Sequence, residues 1–144
     1  MKTLEKRLGF SDSRSFSKST SQIEAYHRCY YTEKLKLPPS YEGLRTANAA
    51  EADCSIDEDK YDVFCYPIEA VATRSTPVPS SLRKTSLERL MVVVPHEDCH
   101  LHKEVRKLPE PIAEAAATLV GFLTAAELAE TKFSRQSETF KNLS

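Results

Sequence analysis

Apolar positions divide the chain into a serine-rich start, two stretches at helical spacing, a short β-forming segment and a longer helical end. Residues 11–21 are serine-rich with few apolar anchors, a composition that gives little to offset the entropy of ordering. They predict a flexible arm over 1–21 ahead of a single domain over 22–144. From Gln22 to Leu37, Ile23, Tyr26, Tyr30 and Leu37 begin at helical spacing. Ser21 is placed to cap that predicted helix and Pro38-Pro39 to end it. The alanine-bearing stretch 44–52 predicts a second, short helix, and Asp57-Glu58-Asp59 a solvated loop. Between 61 and 72 the residues become β-formers, namely Tyr61, Val63, Phe64, Cys65, Tyr66, Ile68 and Val71. One strand or a strand pair is expected there, with Pro67 at an edge or bend. Residues 76–81, with two prolines, read as a stiff loop.

Thr85-Ser86-Leu87-Glu88 has capping-box spacing, with Thr85 as the N-cap and Glu88 reaching back. Behind it Leu87, Leu90, Met91, Val94, Leu101, Val105 and Leu108 recur at intervals that favour one long helix to about Lys107. Pro95 interrupts it, removing the hydrogen bond to the Met91 carbonyl at a cost of about 3 kcal/mol. The alternative is a strand over 91–94 with Pro95 opening a new helix; the kinked single helix is preferred, and both place residues 96–100 on a helix. A second long helix starts near Pro109-Glu110-Pro111 and runs to Ala129, apolar around nearly its whole girth and so expected to be buried. Gly121 within it is expected to permit close helix–helix approach. The expected fold class is therefore α+β and mainly α-helical, with a short strand or hairpin and two central packed helices.

Composition narrows the function. Twenty basic and 21 acidic residues nearly cancel, which argues against a nucleic-acid partner, whose phosphates call for a basic excess. No stretch reads as the roughly 20 apolar residues that span a bilayer. The charged start lacks a secretory apolar core, so a soluble cytoplasmic protein is expected. Cys29, Cys54, Cys65 and Cys99 form no CxxC pair. Free buried thiols are the preferred reading, with a Cys54–Cys65 bridge as the alternative.

The chemistry concentrates in His96-Glu97-Asp98-Cys99-His100, an HExxH motif. Residues i and i+4 lie one above the other on a helix. Both imidazoles can then bind one Zn2+ ion, while the intervening glutamate reaches the attacking water as a general base. The competing reading is a pair of surface or capping histidines on an ordinary helix. A catalytic zinc needs a third protein ligand. Glu114, an acidic residue in the first turns of an otherwise apolar helix, is the candidate, with Glu110 in reserve; either could instead decorate a helix N-terminus. His102 and Glu104 are out of phase and expected to face solvent.

The HExxH motif, a short connection, and then Glu114-Ala115-Ala116-Ala117-Thr118-Leu119-Val120-Gly121 resemble the bacterial predicted zinc aminopeptidases of the gluzincin type. Glu114, Ala117, Thr118 and Gly121 match the family's downstream helix position by position. The resemblance covers about residues 86–128. It implies a zincin-like domain in which His96, His100 and Glu114 hold zinc and Glu97 acts as general base. It also implies peptide or protein substrates, with trimming from the amino terminus. Ala113 stands where the family has asparagine, and the family's upstream tyrosine falls near Val71, leaving Tyr61 and Tyr66 as candidate substitutes. Two rival functions remain: a catalytically degenerate or truncated binding module, and a small helical protein with a structural zinc whose fourth ligand is Cys99 or a residue of 61–72.

Overall fold

The computed structural model describes residue 6 and residues 14–49, 54–73 and 75–143. Their order is β1 (Tyr26–Glu33), a 3-10 turn (Tyr41–Gly43), β2 (Arg45–Ala49), β3 (Tyr61–Ile68), α1 (Ser80–Arg83), α2 (Leu87–His100), a 3-10 turn (Val105–Lys107), α3 (Glu110–Lys132) and α4 (Glu138–Leu143). The fold is α+β, with one three-stranded antiparallel sheet of order β2-β1-β3 beside the helices.

Two of the expected helices are strands. β1 is rich in Tyr, Thr, Cys and His, which are indifferent helix formers, and it pairs along its full length with β3, Tyr26 opposite Ile68 and Glu33 opposite Tyr61. β2 pairs with its other side, from His27 opposite Ala49 to Tyr31 opposite Arg45. Ladder pairing with partners 14 to 42 residues away thus overrides the local spacing that favoured helices. Within β1 the side chains alternate: Tyr26, Arg28, Tyr30 and Thr32 share one face, and His27, Cys29 and Tyr31 the other. Pro67 lies on the edge strand β3, where its missing N–H is tolerated.

The stretch expected as an arm is tied down where it is described. The Phe16 N–H donates to the Thr76 carbonyl at 2.6 Å, and Val78 N–H donates to Lys18 O at 2.8 Å. Ser15 is fully buried, and Phe16 packs on Ala70, Leu82 and Val93. Residues 23–24 accept from the backbone of Ser80 and Ser81, and the Tyr26 hydroxyl donates to the Pro77 carbonyl. These bonds fasten the sheet to the start of the helical layer.

α2 begins one residue later than expected. Its N-cap is Ser86, whose Oγ accepts from Arg89 N–H at 3.2 Å. The Thr85 hydroxyl is engaged on the Leu82 carbonyl, closing α1. Glu88 takes a hydrogen bond from the Thr139 hydroxyl on α4 and also interacts with the Ser86 hydroxyl at the N-cap. Pro95 sits inside one continuous helix, fully buried. That helix ends at His100 and not near Lys107; a 3-10 turn over Val105–Lys107 and an extended Leu108 ahead of Pro109 carry the chain to the next helix.

α3 returns antiparallel to α2, with Met91 and Val92 against Ala125 and Leu128. Gly121 sets the spacing: a Cβ built there would lie 2.7 Å from the Val92 carbonyl oxygen and 3.3 Å from His96 Cβ. α3 is not buried all round. Ala113, Ala117, Gly121, Thr124, Ala125, Leu128 and Ala129 face inward, while Ile112, Leu119, Phe122 and Leu123 are exposed. By length and composition this helix could cross a membrane, because its alanines count as apolar; the expectation of no such segment is corrected.

A Gly121→Ala substitution gives the sign of this contact. In an open helix alanine would stabilise by about 1 kcal/mol. Against a backbone carbonyl at 2.7 Å it should instead destabilise by about 1–3 kcal/mol in urea unfolding. A neutral or stabilised variant would mean that the helices are not held this closely.

Candidate metal centre

His96 and His100 occupy consecutive turns of α2, and their Nε2 atoms lie 3.4 Å apart. The second helix supplies Glu114. Its Oε2 is 3.5 Å from His96 Nε2, and its Oε1 is 3.4 Å from His100 Nε2. Each carboxylate oxygen thus faces one imidazole, and one ligand atom from each of the three residues lies within 4.8 Å of the others. Donors each 2.0–2.1 Å from one tetrahedral zinc ion would stand about 3.3–3.4 Å apart, close to the separation between the two imidazole nitrogens and from each of them to its facing oxygen. Among the described residues two side-chain groups could hold a metal ion, and this is the one that contains histidine.

The protonation chemistry agrees with ligation. Burial depresses the His96 pKa, and the neighbouring His100 depresses it further. The neutral imidazole thereby favoured is the form that binds metal. Glu97 lines the same cleft as the pair. Burial, reinforced by the negative charge of Glu114, raises its carboxyl to about 7. A hydrogen bond from the Ala72 backbone and the positive charge of Arg28 act in the opposite direction. A carboxyl poised near neutrality both accepts and returns a proton readily.

These side chains line a cleft of about 320 Å³ between the helix pair and the sheet, closed by Arg28, Asn48 and residues 68–72. The 69–72 segment is held by Glu69, whose carboxylate pairs with Arg89 of α2, the Arg89 Nε donating at 2.9 Å. That guanidinium keeps the Glu69 carboxyl below the usual carboxylate range. The segment that donates to Glu97 is therefore anchored to the helix carrying Glu97.

All four residues expected from the motif come together: His96, Glu97, His100 and Glu114. Glu110, the reserve ligand, lines a separate cavity with Arg28, Tyr30 and Glu42. Glu104 is exposed and pairs with Lys107. His102 is half-buried, not solvent-facing as expected, and stands outside the cluster. Cys99 is buried and free, and outside the cluster as well. Tyr61 packs edge-on against Tyr31 and Tyr66 stacks on Tyr30; neither lines the cleft. What the sequence did not reveal is Arg28, whose Nε reaches Asn48 Oδ1 at 3.4 Å. Its place follows from strand register, which no local spacing carries. Compared with protein-family models, curated proteins and solved structures, the chain finds no match.

The raised Glu97 carboxyl has a measurable consequence in metal-free protein. A folded-state value of about 7 against an ordinary 4.5 means that the folded chain holds this proton more tightly than the unfolded one. Its stabilising contribution is complete below about 4.5 and is lost as pH rises to about 7. In chelator-treated protein, Glu97→Gln should therefore gain about 1–3 kcal/mol relative to wild type between pH 5 and pH 7.5. A pH-independent difference would place Glu97 in solvent.

Proposed function

We propose that this chain is a zinc-dependent peptide-bond hydrolase built on a zincin-like domain. The observation that carries the reading is the convergence of His96, His100 and Glu114, with the half-buried Glu97 carboxyl lining the same cleft. Two imidazoles and a single carboxylate favour zinc over calcium or magnesium, which take mostly oxygen ligands. The cluster holds three residues, the number found in catalytic zinc sites with an open position, whereas structural sites close with four. Convergence of Glu114 on the two histidines also favours a working site over a degenerate module.

A bound zinc ion supplies Lewis acidity, polarising the scissile carbonyl and acidifying the attacking water. Glu97 takes the proton from that water and returns it to the leaving amine, a role suited to a carboxyl near pH 7. The Ala72 N–H holds Glu97 in orientation. The resemblance to zinc aminopeptidases makes amino-terminal trimming the first substrate class to assay. Arg28 lines the cleft opposite the metal ligands, however, and its charge suits an anionic group on the substrate better than an α-amine. Peptides with a free carboxylate near the scissile bond are therefore the second class.

Metal analysis with paired variants tests the reading. Wild type should carry one zinc per chain. His100→Ala and Glu114→Ala should lose it, and with it hydrolysis. Glu97→Gln should keep the metal while peptide hydrolysis falls by about 10²-fold or more. A wild-type protein without stoichiometric metal would end the proposal, and a zinc-loaded protein whose Glu97→Gln variant hydrolyses peptides normally would remove Glu97 from it.

A further inference from the structure

A second cluster stands on the sheet. Cys29 on β1 and Cys65 on β3 are direct cross-strand partners, and Cys54 comes from the connection between β2 and β3. The Cys54 and Cys65 sulfurs are 3.7 Å apart, and all three sulfurs lie within 4.8 Å of one another. The Cys29 sulfur is within disulfide-bonding reach of both of the others. This corrects the expectation of separate, unbonded thiols at these three positions and of a Cys54–Cys65 bridge as its alternative; Cys99 stays free, buried and outside the cluster.

A sulfur atom carries one disulfide, so three converging cysteines make one bond and leave one thiol against it. We infer that Cys29, Cys54 and Cys65 form a thiol–disulfide exchange centre in which Cys29 is the shared partner. The Cα separations rank the two pairings. Cys29 and Cys54 are 6.4 Å apart, inside the usual disulfide range of roughly 4.4–6.8 Å, whereas Cys29 and Cys65 at 4.0 Å fall below it. Cys29–Cys54 is therefore the resting bond and Cys65 the resident thiol.

The exchange is balanced within the chain. The Cys65 thiolate attacks Cys29 Sγ, the Cys29–Sγ to Cys54–Sγ bond breaks, and Cys54 leaves as the thiolate that takes up the proton given by Cys65. No electrons leave the protein in this step. Forming the first disulfide from three thiols needs a two-electron oxidant, and a low-molecular-weight disulfide serves, itself reduced to two thiols. Burial orders that reaction as well. Cys29 is fully buried, while Cys54 and Cys65 are half-buried. The incoming disulfide meets an outer cysteine first, and Cys29 then resolves the mixed disulfide. Three thiolates could instead hold a soft cation, and the test below reads that outcome directly.

The test equilibrates the full chain with reduced and oxidised glutathione, quenches with acid, alkylates free thiols and maps the bonds by peptide mass spectrometry. Wild type should contain one intramolecular disulfide that always includes Cys29, with Cys29–Cys54 the major and Cys29–Cys65 the minor species. C54S should shift the bond wholly to Cys29–Cys65, and C65S wholly to Cys29–Cys54. Cys99, alkylated in denaturant in every sample, is the internal control, and circular dichroism checks that each variant folds. Three unbonded thiols in oxidised wild type would overturn the inference, as would a Cys54–Cys65 bond. So would a bound metal that protects all three sulfurs from alkylation until it is chelated.

Discussion

The fold and the candidate site both depend on how closely α3 lies on α2. That distance is a backbone contact: Gly121 faces the Val92 carbonyl with no room for a Cβ between them. Van der Waals repulsion rises so steeply that a single methyl group here would separate the helices or tilt them. One turn further along α2 lies His96, and two turns back along α3 lies Glu114. A shift of about 1 Å at Gly121 would draw Glu114 away from the two histidines by a comparable amount, more than the bonds to one small cation tolerate. The small inward residues Ala113, Ala117 and Ala125 continue the same seam. They let two helices approach closely with little side-chain entropy to lose.

The close approach has an electrostatic cost that accounts for the character of the cleft. It brings the Glu114 carboxylate to two imidazoles and places the partly desolvated Glu97 beside it. Without a cation the arrangement favours the neutral forms: burial, with the Glu114 charge, drives Glu97 up to about 7, and burial, with His100, drives His96 down. A divalent ion would relieve the same tension by satisfying both imidazoles and the carboxylate together. The sheet contributes the rest of the boundary: Arg28 and Asn48 cross the cleft from the helices, and the Ala72 N–H steadies Glu97. On the other face of β1, one residue along, Cys29 gathers the sulfur cluster. A single strand therefore borders both clusters, the cleft on one face and the cysteines on the other.

What could be read from the sequence was what depends on nearby residues. The i, i+4 histidines, the glutamate between them and the buried proline all lie on one helix, whose geometry fixes their relations without help from the rest of the chain. Glu114 was legible because a carboxylate on an apolar helix calls for a partner, and Gly121 because glycine in a helix calls for a reason. The sheet was not. In 22–37 and 44–52 local spacing suggested helices, and only pairing with a distant strand makes Tyr26–Glu33 and Arg45–Ala49 extended. Arg28 and the cysteine pairing were lost with it, since both are properties of register. The outer face of α3 was misjudged for a related reason: Leu119, Phe122 and Leu123 are apolar, but nothing among the described residues covers them.

The central claim is that two helices hold one zinc ion through His96, His100 and Glu114, and X-ray absorption at the zinc edge of the purified protein tests it most directly. The expected spectrum is a four-coordinate shell of nitrogen and oxygen at about 2.0–2.1 Å, with the multiple scattering of two imidazoles and no sulfur. A sulfur shell at about 2.3 Å would put the metal on cysteine, and six oxygen neighbours without imidazole would put it on the surface. Either result would contradict the account.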